Sequence, residues 1–234
     1  MNSPDYDEII PNLFLGNLES TKDYRFLKLK NIKYVLSITK NDVRLDPSEY
    51  KHIHFSLRDA PYEDLISIFD ICHSFIEEGL RKGLGVLVHC NMGISRSSTI
   101  VISYLMRKMK RPFSEVYRFV KRRRPQVGPN FGFQAQLLLF DKMNFNRNSD
   151  SIYNKLYRQF LLSDNTTGEQ KFDVKNYIAF IAGENDKEQL NGNSENFSVT
   201  YKPPIPYEGG CGDGYKSSNN QVVHSFIKRN KRRL

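Results

Sequence analysis

The sequence predicts an α/β layered domain over residues 1 to about 145. Segments typical of strands alternate there with segments typical of helices. The clearest pair is a short β-branched run bounded by glycine at 85–88, followed by an unbroken stretch with an apolar face from residue 97. A chain of 234 residues is long enough for one such domain with an extension.

The predicted elements follow one another along the chain. We expect strands near 13–15, 34–38, 52–55 and 85–89, and helices near 20–30, 63–79, 97–109, 113–124 and 130–145. The segment 69–76 has the apolar spacing of a helix. Glu63 and Asp64 are expected in the first turn of that helix, where carboxylates favour the helix dipole.

The loop between the fourth strand and the third helix carries the chemistry. It reads His89-Cys90-Asn91-Met92-Gly93-Ile94-Ser95-Arg96-Ser97. Five residues between Cys90 and Arg96 are enough to curl around one tetrahedral anion with their N–H groups turned inward, and Gly93 permits the backbone conformation of such a curl. The helix N-terminus and the planar fork of Arg96 add donors for phosphate. We therefore predict a phosphate site formed by Asn91, Met92, Gly93, Ile94, Ser95 and Arg96.

The same surroundings suit Cys90 to act as a nucleophile. Helix N-termini and nearby cations favour the thiolate form of a cysteine. We expect His89 to form a local hydrogen bond that helps to fix the thiolate. The hydroxyl of Ser97 is placed to assist departure of the thiol. A small core residue is the alternative role for a cysteine, but the nine-residue string in its strand–loop–helix context favours catalysis.

At these residues the chain resembles the cysteine-dependent protein phosphatases, with their His-Cys-x5-Arg-Ser/Thr signature. The Gly-Ile-Ser-Arg-Ser ending is similar to that of the dual-specificity branch. Further segments resemble this family in the same order, namely 9–16, 29–38, 124–125, 129–133 and 136–137. The resemblance implies a dual-specificity phosphatase catalytic domain over residues 1–145, with a central, mostly parallel sheet of about five strands flanked by helices. It also implies hydrolysis of phosphotyrosine and phosphoserine/threonine through a phosphocysteine intermediate, with no cofactor and no metal.

The leaving oxygen of the substrate needs a proton, so the site also needs a general acid. By its place after the third predicted strand and its distance upstream of Cys90, Asp59 matches the acid of the family. Once ionised, the same group would accept a proton from water in the second step. Asn130 resembles a family position that braces the active loop through hydrogen bonds, and a simple helix N-cap is the alternative role.

Other reactive side chains have less specific patterns. Core packing explains Cys72 within its helical segment, and the alternative is a resolving cysteine that protects oxidised Cys90 as a disulfide. His52 and His54 alternate on a strand without a third metal ligand at a plausible spacing, so we expect them to line a sheet face. Cys211 has no cysteine or histidine at zinc spacing.

The formal net charge of +9 suits acidic or phosphorylated partners without naming one. The basic run 121–124 either forms a solvated helix end or attracts acidic and multiply phosphorylated substrates. From residue 146 to 234 we expect a partly disordered extension of unknown role, with a candidate helix at 151–162 and a candidate strand at 177–181. Its basic end, 228–233, is a nuclear-import signal, a nucleic-acid patch or a solubilising tail.

Three cysteines, one of them catalytic, argue against a disulfide scaffold. The sequence shows no N-terminal hydrophobic signal and no apolar run long enough to span a bilayer. A reactive thiolate also needs a reducing compartment. We therefore expect the protein in the cytoplasm, the nucleus or both.

Other functions stay open on the sequence alone. An RNA 5′-phosphatase or a phosphoinositide phosphatase would have the same fold. Relatives with lipid activity often carry lysines in the loop, which residues 91–95 lack, and RNA-directed relatives usually end it in Arg-Thr, where this chain has Arg96-Ser97. A different class is a pseudophosphatase, or an adaptor that binds phosphoproteins or nucleic acid through the basic tail. The joint presence of Cys90, Asp59 and Arg96 favours an enzyme.

Overall fold

The structure, a computed structural model, describes residues 4–61 and 63–147. Within those ranges the strands are β1 (Tyr6–Ile10), β2 (Leu13–Gly16), β3 (Ile32–Thr39), β4 (Lys51–Ser56) and β5 (Gly85–His89). The α-helices are α1 (Tyr24–Leu29), α2 (Phe69–Arg81), α3 (Arg96–Met109), α4 (Phe113–Arg123) and α5 (Phe131–Lys142). Residues 148–234 lie outside the described ranges. They comprise nearly all of the predicted extension, including its candidate helix and strand, Cys211 and the basic end.

The strands form one sheet in the order β1-β2-β5-β3-β4. Strands β2, β5, β3 and β4 pair in parallel, and only β1 runs antiparallel to its neighbour β2. The predicted mostly parallel, five-stranded sheet is therefore confirmed. Strand β5 lies in the middle and is buried along its whole length, as expected for a strand covered on both faces. The loop that follows it opens at the centre of the sheet edge, where open α/β sheets bind their ligands.

The two faces of the sheet carry separate apolar clusters. Because side chains alternate along a strand, Val86 and Val88 of β5 join the larger cluster, which also contains side chains of α2, α3, α4 and α5. Leu87 points to the opposite face and packs with Phe26 and Leu27 of α1. Helices thus cover both faces. None of the helices in the described ranges is long and apolar enough to cross a membrane.

Three element predictions need correction. Strand β1 was not predicted, and it turns into β2 through Asn12, which has a positive φ of 65°. The predicted helix at 20–30 is divided, because the side chain of Asp23 caps the start of α1 after a short 3₁₀ helix, Leu18–Lys22. The predicted start of the next helix was too early: α2 begins at Phe69 after a 3₁₀ turn, so Glu63 and Asp64 precede it.

Candidate active site

In the loop after β5, every backbone carbonyl from Cys90 to Ile94 accepts a hydrogen bond from a group that lies outside the centre of the loop. The donors, in order, are His89 Nδ1 at 3.4 Å, Leu18 N at 3.2 Å, Arg124 Nη2 at 3.5 Å, Arg124 Nε at 2.9 Å and Gly128 N at 2.9 Å. A trans peptide points its C=O and its N–H in opposite directions, and the described residues contain no cis peptide. The five N–H groups of residues 91–95 are therefore turned toward the centre, where they form an anion cradle.

Cys90 lies at the base of this cradle with only 1% of its surface exposed. Its Sγ accepts hydrogen bonds from Gly93 N and from Ser97 Oγ, both at 3.2 Å. Donors of this kind stabilise a thiolate. Gly93 has a φ of 67°, and a Cβ there would lie 2.6 Å from the carbonyl oxygen of Gly16, so this position requires glycine. The structure thus brings Ser97 to the sulfur, as the sequence predicts.

Arg96 begins α3 and is nearly buried, at 6% exposure. Its Nη1 donates to the carbonyl of Leu57 at 3.0 Å, which joins the cradle to the loop that contains Asp59. Its Nε is buried without a hydrogen-bond partner and lies 3.6 Å from Asp59 Oδ2. A buried N–H without a partner is costly, and a phosphate oxygen would supply one.

The structure places Asp59 beside the cradle. Its Oδ1 accepts from Ser95 Oγ at 2.7 Å and from Asn130 Nδ2 at 2.8 Å, and Ser95 Oγ in turn accepts from Asn130 N at 3.1 Å. The Oδ1 of Asn130 caps α5 by accepting from Phe133 N at 3.0 Å. Asn130 therefore caps α5 through its Oδ1, contacts the cradle through its backbone N–H and contacts Asp59 through its Nδ2.

Two further side chains hold this apparatus, and neither was predicted from the sequence to do so. Gln136 Oε1 accepts from the backbone N–H groups of Leu65 and Ile66, both at 2.9 Å, so α5 holds the end of the Asp59 loop and the start of the 3₁₀ turn. Arg124 supports the cradle itself through its bonds to residues 92 and 93. Their only sequence signal was that both lie in segments that resemble the phosphatase family.

The predicted basic run at 121–124 needs correction at its last residue. Arg124 is fully buried, with its Nη1 2.7 Å from Asp7 Oδ2 and its Nη2 2.8 Å from Asp5 Oδ2. It is therefore a buried brace between β1 and the cradle rather than a solvated charge. Lys121, Arg122 and Arg123 are exposed.

A chain of hydrogen bonds reaches the cradle from the sheet. Ser37 Oγ lies 2.6 Å from His89 Nε2 and 2.8 Å from His52 Nε2. Burial lowers the pKa of His89 to about 4, so its imidazole is neutral at physiological pH. His54 instead contacts Thr39 Oγ1 at 3.0 Å. Both strand histidines thus lie on the sheet as predicted. Within 4–61 and 63–147 no group of three or more His, Cys, Asp or Glu side chains is placed to hold a metal ion.

Cys72 lies on α2 inside the larger apolar cluster and is fully buried. Burial raises the pKa of its thiol well above the ordinary value, which keeps the thiol protonated and unreactive. This position agrees with core packing. Protection of oxidised Cys90 by Cys72 stays a prediction, and peptide mapping after peroxide treatment tests it, since absence of the crosslink would exclude it.

Comparison with known proteins supports what the geometry indicates. Residues 13–143 match the sequence model of the family described as "Dual specificity phosphatase, catalytic domain". The chain belongs to this family. This dual-specificity phosphatase is 41% identical over 138 residues to dual specificity protein phosphatase 1B of Arabidopsis thaliana, a match that covers 59% of the chain and 83% of the relative.

A second relative is MAP kinase phosphatase with leucine-rich repeats protein 3 of Dictyostelium discoideum. It is 41% identical over 139 residues, and the match covers 59% of this dual-specificity phosphatase but only 16% of the larger protein. The crystal structure of the human tyrosine phosphatase-like serine/threonine/tyrosine-interacting protein has a TM-score of 0.59 and 30% identity, covering 61% of this chain and 99% of the other. The structural match confirms the fold, and the family model together with the curated relatives confirms a protein phosphatase activity for the catalytic domain.

Proposed function

We propose that this phosphatase hydrolyses phosphotyrosine and phosphoserine/threonine in proteins with Cys90 as the nucleophile. The observation that carries this proposal is the cradle of five inward N–H groups around a buried thiol, with Arg96 and Asp59 at its edge. In the first step Cys90 Sγ attacks phosphorus, and the bond from phosphorus to the leaving oxygen breaks. The loop N–H groups and Arg96 hold the other three oxygens and stabilise their charge in the transition state.

Asp59 supplies the proton that the leaving oxygen takes. Because Ser95 and Asn130 both donate to Oδ1, the proton of the neutral acid is carried by Oδ2. In the second step a water molecule attacks phosphorus and gives its proton to the Asp59 carboxylate. The bond from phosphorus to sulfur breaks, and Ser97 Oγ–H donates to the departing thiolate. Inorganic phosphate leaves.

The replacement Cys90→Ser tests the nucleophile. We expect it to abolish turnover of p-nitrophenyl phosphate while inorganic phosphate still binds, because the cradle and Arg96 do not depend on the sulfur. Turnover would be followed by absorbance and binding by calorimetry. Appreciable turnover in the variant would refute the assignment.

The other substrate classes differ in what they require of the loop. Loop residues 91–95 carry no lysine, which favours phosphoproteins over phosphoinositides. The human structural relative is named as an interacting protein. An adaptor role for this chain, however, would not need the contacts that Asp59, Ser97 and Arg96 make at the site. A turnover screen against phosphopeptides, phosphoinositides and 5′-triphosphorylated RNA separates these functions, and turnover of phosphopeptides alone is expected. A cysteine nucleophile must stay reduced to act, so we propose that the protein resides in the cytoplasm, the nucleus or both, which cell fractionation tests.

We also propose that acidic or multiply phosphorylated partners dock on α4. A groove of about 390 Å³ lies beside this helix, and apolar and basic side chains line it together with one glutamate. Its lining residues are Met109, Arg111, Glu115, Val116, Arg118, Phe119 and Arg122. The predicted contribution of the basic tail concerns residues outside the described ranges.

A charge reversal on this helix tests the docking proposal. The pair Arg118→Glu and Arg122→Glu is expected to raise KM for phosphopeptides with acidic flanks, with kcat for p-nitrophenyl phosphate unchanged, because that substrate reaches only the cradle. The pair Arg25→Glu and Lys28→Glu, two exposed cations on α1, is the matched control. Equal effects at both sites would show a general charge effect and contradict docking, as would tight binding of RNA in place of acidic peptides.

A further inference from the structure

A relay of three side chains crosses the strands β4, β3 and β5 and ends at the catalytic loop. His52 Nε2 lies 2.8 Å from Ser37 Oγ, Ser37 Oγ lies 2.6 Å from His89 Nε2, and His89 Nδ1 lies 3.4 Å from the carbonyl oxygen of Cys90. His52 is partly exposed, whereas Ser37 and His89 are fully buried. The relay therefore joins the surface of the sheet to the residue that attacks phosphorus.

The protons of this relay have only one arrangement that satisfies all three contacts. A carbonyl oxygen only accepts, so the contact with Cys90 requires a hydrogen on His89 Nδ1. The neutral imidazole then has no hydrogen on Nε2, which must accept from Ser37. Ser37 has a single proton and gives it to His89. Its oxygen is left to accept, and the donor is the Nε2–H of His52.

The reverse arrangement places lone pairs against each other. If His52 Nε2 carried no hydrogen, Ser37 would donate to His52 and accept from His89 Nε2–H. His89 Nδ1 would then face the carbonyl oxygen of Cys90 without a hydrogen between them. The peptide that joins Cys90 to Asn91 would lose its outer hydrogen bond, and this peptide supplies the first of the five inward N–H groups.

We propose that His52 is a positioning residue for catalysis: its Nε2–H acts through Ser37 to keep His89 in the tautomer that anchors the Cys90 carbonyl. The proposal rests on the proposed role of Cys90 and extends it to a residue two strands away from the cradle. His54 provides the contrast. It lies on the same strand, but its Nε2 contacts Thr39 Oγ1 and the Thr39 carbonyl, and neither leads to the cradle.

The tautomer is directly measurable. Long-range ¹H–¹⁵N correlation spectra of the ¹⁵N-labelled full chain distinguish Nδ1–H from Nε2–H imidazoles. We expect His89 as the Nδ1–H tautomer in the unaltered protein and a substantial Nε2–H fraction in His52→Glu, because a carboxylate at position 52 only accepts and would take the proton of Ser37. An Nε2–H tautomer of His89 in the unaltered protein would overturn the proposal. Because this readout involves no turnover, an Nδ1–H tautomer in a protein without phosphatase activity would contradict the proposed function alone.

Kinetics test whether the tautomer matters for catalysis. His52→Glu and Ser37→Ala are each expected to lower kcat/KM for p-nitrophenyl phosphate about fivefold, the effect of one hydrogen bond. His52→Gln has the same shape but keeps an N–H donor, and it should retain most of the rate. His54→Glu, which places the same charge two residues along the strand, should leave the rate unchanged.

Thermal unfolding of each variant accompanies the kinetics, so that only folded proteins are compared. An unchanged rate in His52→Glu, or equal losses in His52→Gln and His52→Glu, would overturn the relay. The double variant Ser37→Ala/His52→Glu should be no slower than Ser37→Ala alone, because both replacements interrupt the same chain. Multiplied losses would mean that the two residues act separately and would also overturn it.

Discussion

The carboxylate of Asp59 is anchored through one of its two oxygens. Ser95 and Asn130 both donate to Oδ1, while Oδ2 faces Arg96 Nε at 3.6 Å. In the proposed mechanism this asymmetry gives the two oxygens different tasks: Oδ1 fixes the orientation of the carboxyl group, and Oδ2 exchanges the proton. The hydroxyl of Ser95 in the cradle thus orients Asp59, so the two halves of the site are positioned relative to each other before substrate binds.

Replacement of the acid should affect substrates according to their leaving groups. We expect Asp59→Asn to lower kcat about 100-fold for phenyl phosphate, because phenolate needs a proton as it leaves. For p-nitrophenyl phosphate the loss should be much smaller, since p-nitrophenolate is a stable anion. Steady-state kinetics on both substrates measure this ratio.

Ser95→Ala should give the same pattern in weaker form, because the acid remains but loses one of its two anchors. Equal losses on the two substrates in Asp59→Asn would show that Asp59 does not supply the proton.

At the scale of elements, Arg124 connects three parts of the chain. It follows the end of α4, pairs with two carboxylates of the N-terminal segment and donates to two carbonyls of the cradle. Its guanidinium is completely buried, whereas Asp5 and Asp7 keep 45% and 36% of their side-chain surface exposed. The exposed carboxylates are easily solvated when the pair is broken, so the cost of breaking it is moderated by solvent.

The replacement Arg124→Met should therefore destabilise the protein and loosen the cradle. We expect a loss of about 3 kcal/mol in the free energy of unfolding, the lower end for breaking a buried pair. Urea unfolding measures this loss, and weaker binding of inorganic phosphate should accompany it. Arg123→Met changes the preceding, exposed arginine and should cost little. Equal stability of the two variants would contradict the bracing role.

The sequence predicted elements and site residues whose signals are local. Cys90, Arg96 and Ser97 form one string between a β-branched run and an apolar-faced helix, so their proximity follows from neighbouring residues. The bond from Ser95 to Asp59 spans 36 residues and that from Arg124 to Asp5 spans 119, and no local pattern encodes them. Arg124 also follows three exposed cations, so an arginine at this position gave no sign that its side chain is buried. Strand β1 was missed because its burial is incomplete and irregular.

At the scale of the whole molecule, buried neutral histidines make stability depend on pH. An unfolded histidine binds a proton below about pH 6.5, whereas folded His89 does so only below about 4. Between these values the unfolded state binds more protons, so the free energy of unfolding falls as the pH falls. Burial also lowers the pKa of His73 and His52, which acts in the same direction.

We expect His89 alone to contribute a loss of about 3 kcal/mol between pH 6.5 and 4. Urea unfolding at several pH values measures the slope, and the slope should be smaller in His89→Gln because one titrating group is removed. Parallel curves for the two proteins would contradict the assignment of a depressed pKa to His89.

Because Arg124 forms ion pairs with the N-terminal segment, the catalytic unit begins before β2. The family match starts at residue 13, after both carboxylates that neutralise the buried guanidinium. A fragment cut to the limits of that match would keep every residue that contacts the phosphate and still leave Arg124 without a counter-charge beneath the cradle. Asp5 and Asp7 lie outside the segment that the family model matches. Their replacement would thus still change the rate at which the protein hydrolyses phosphate esters.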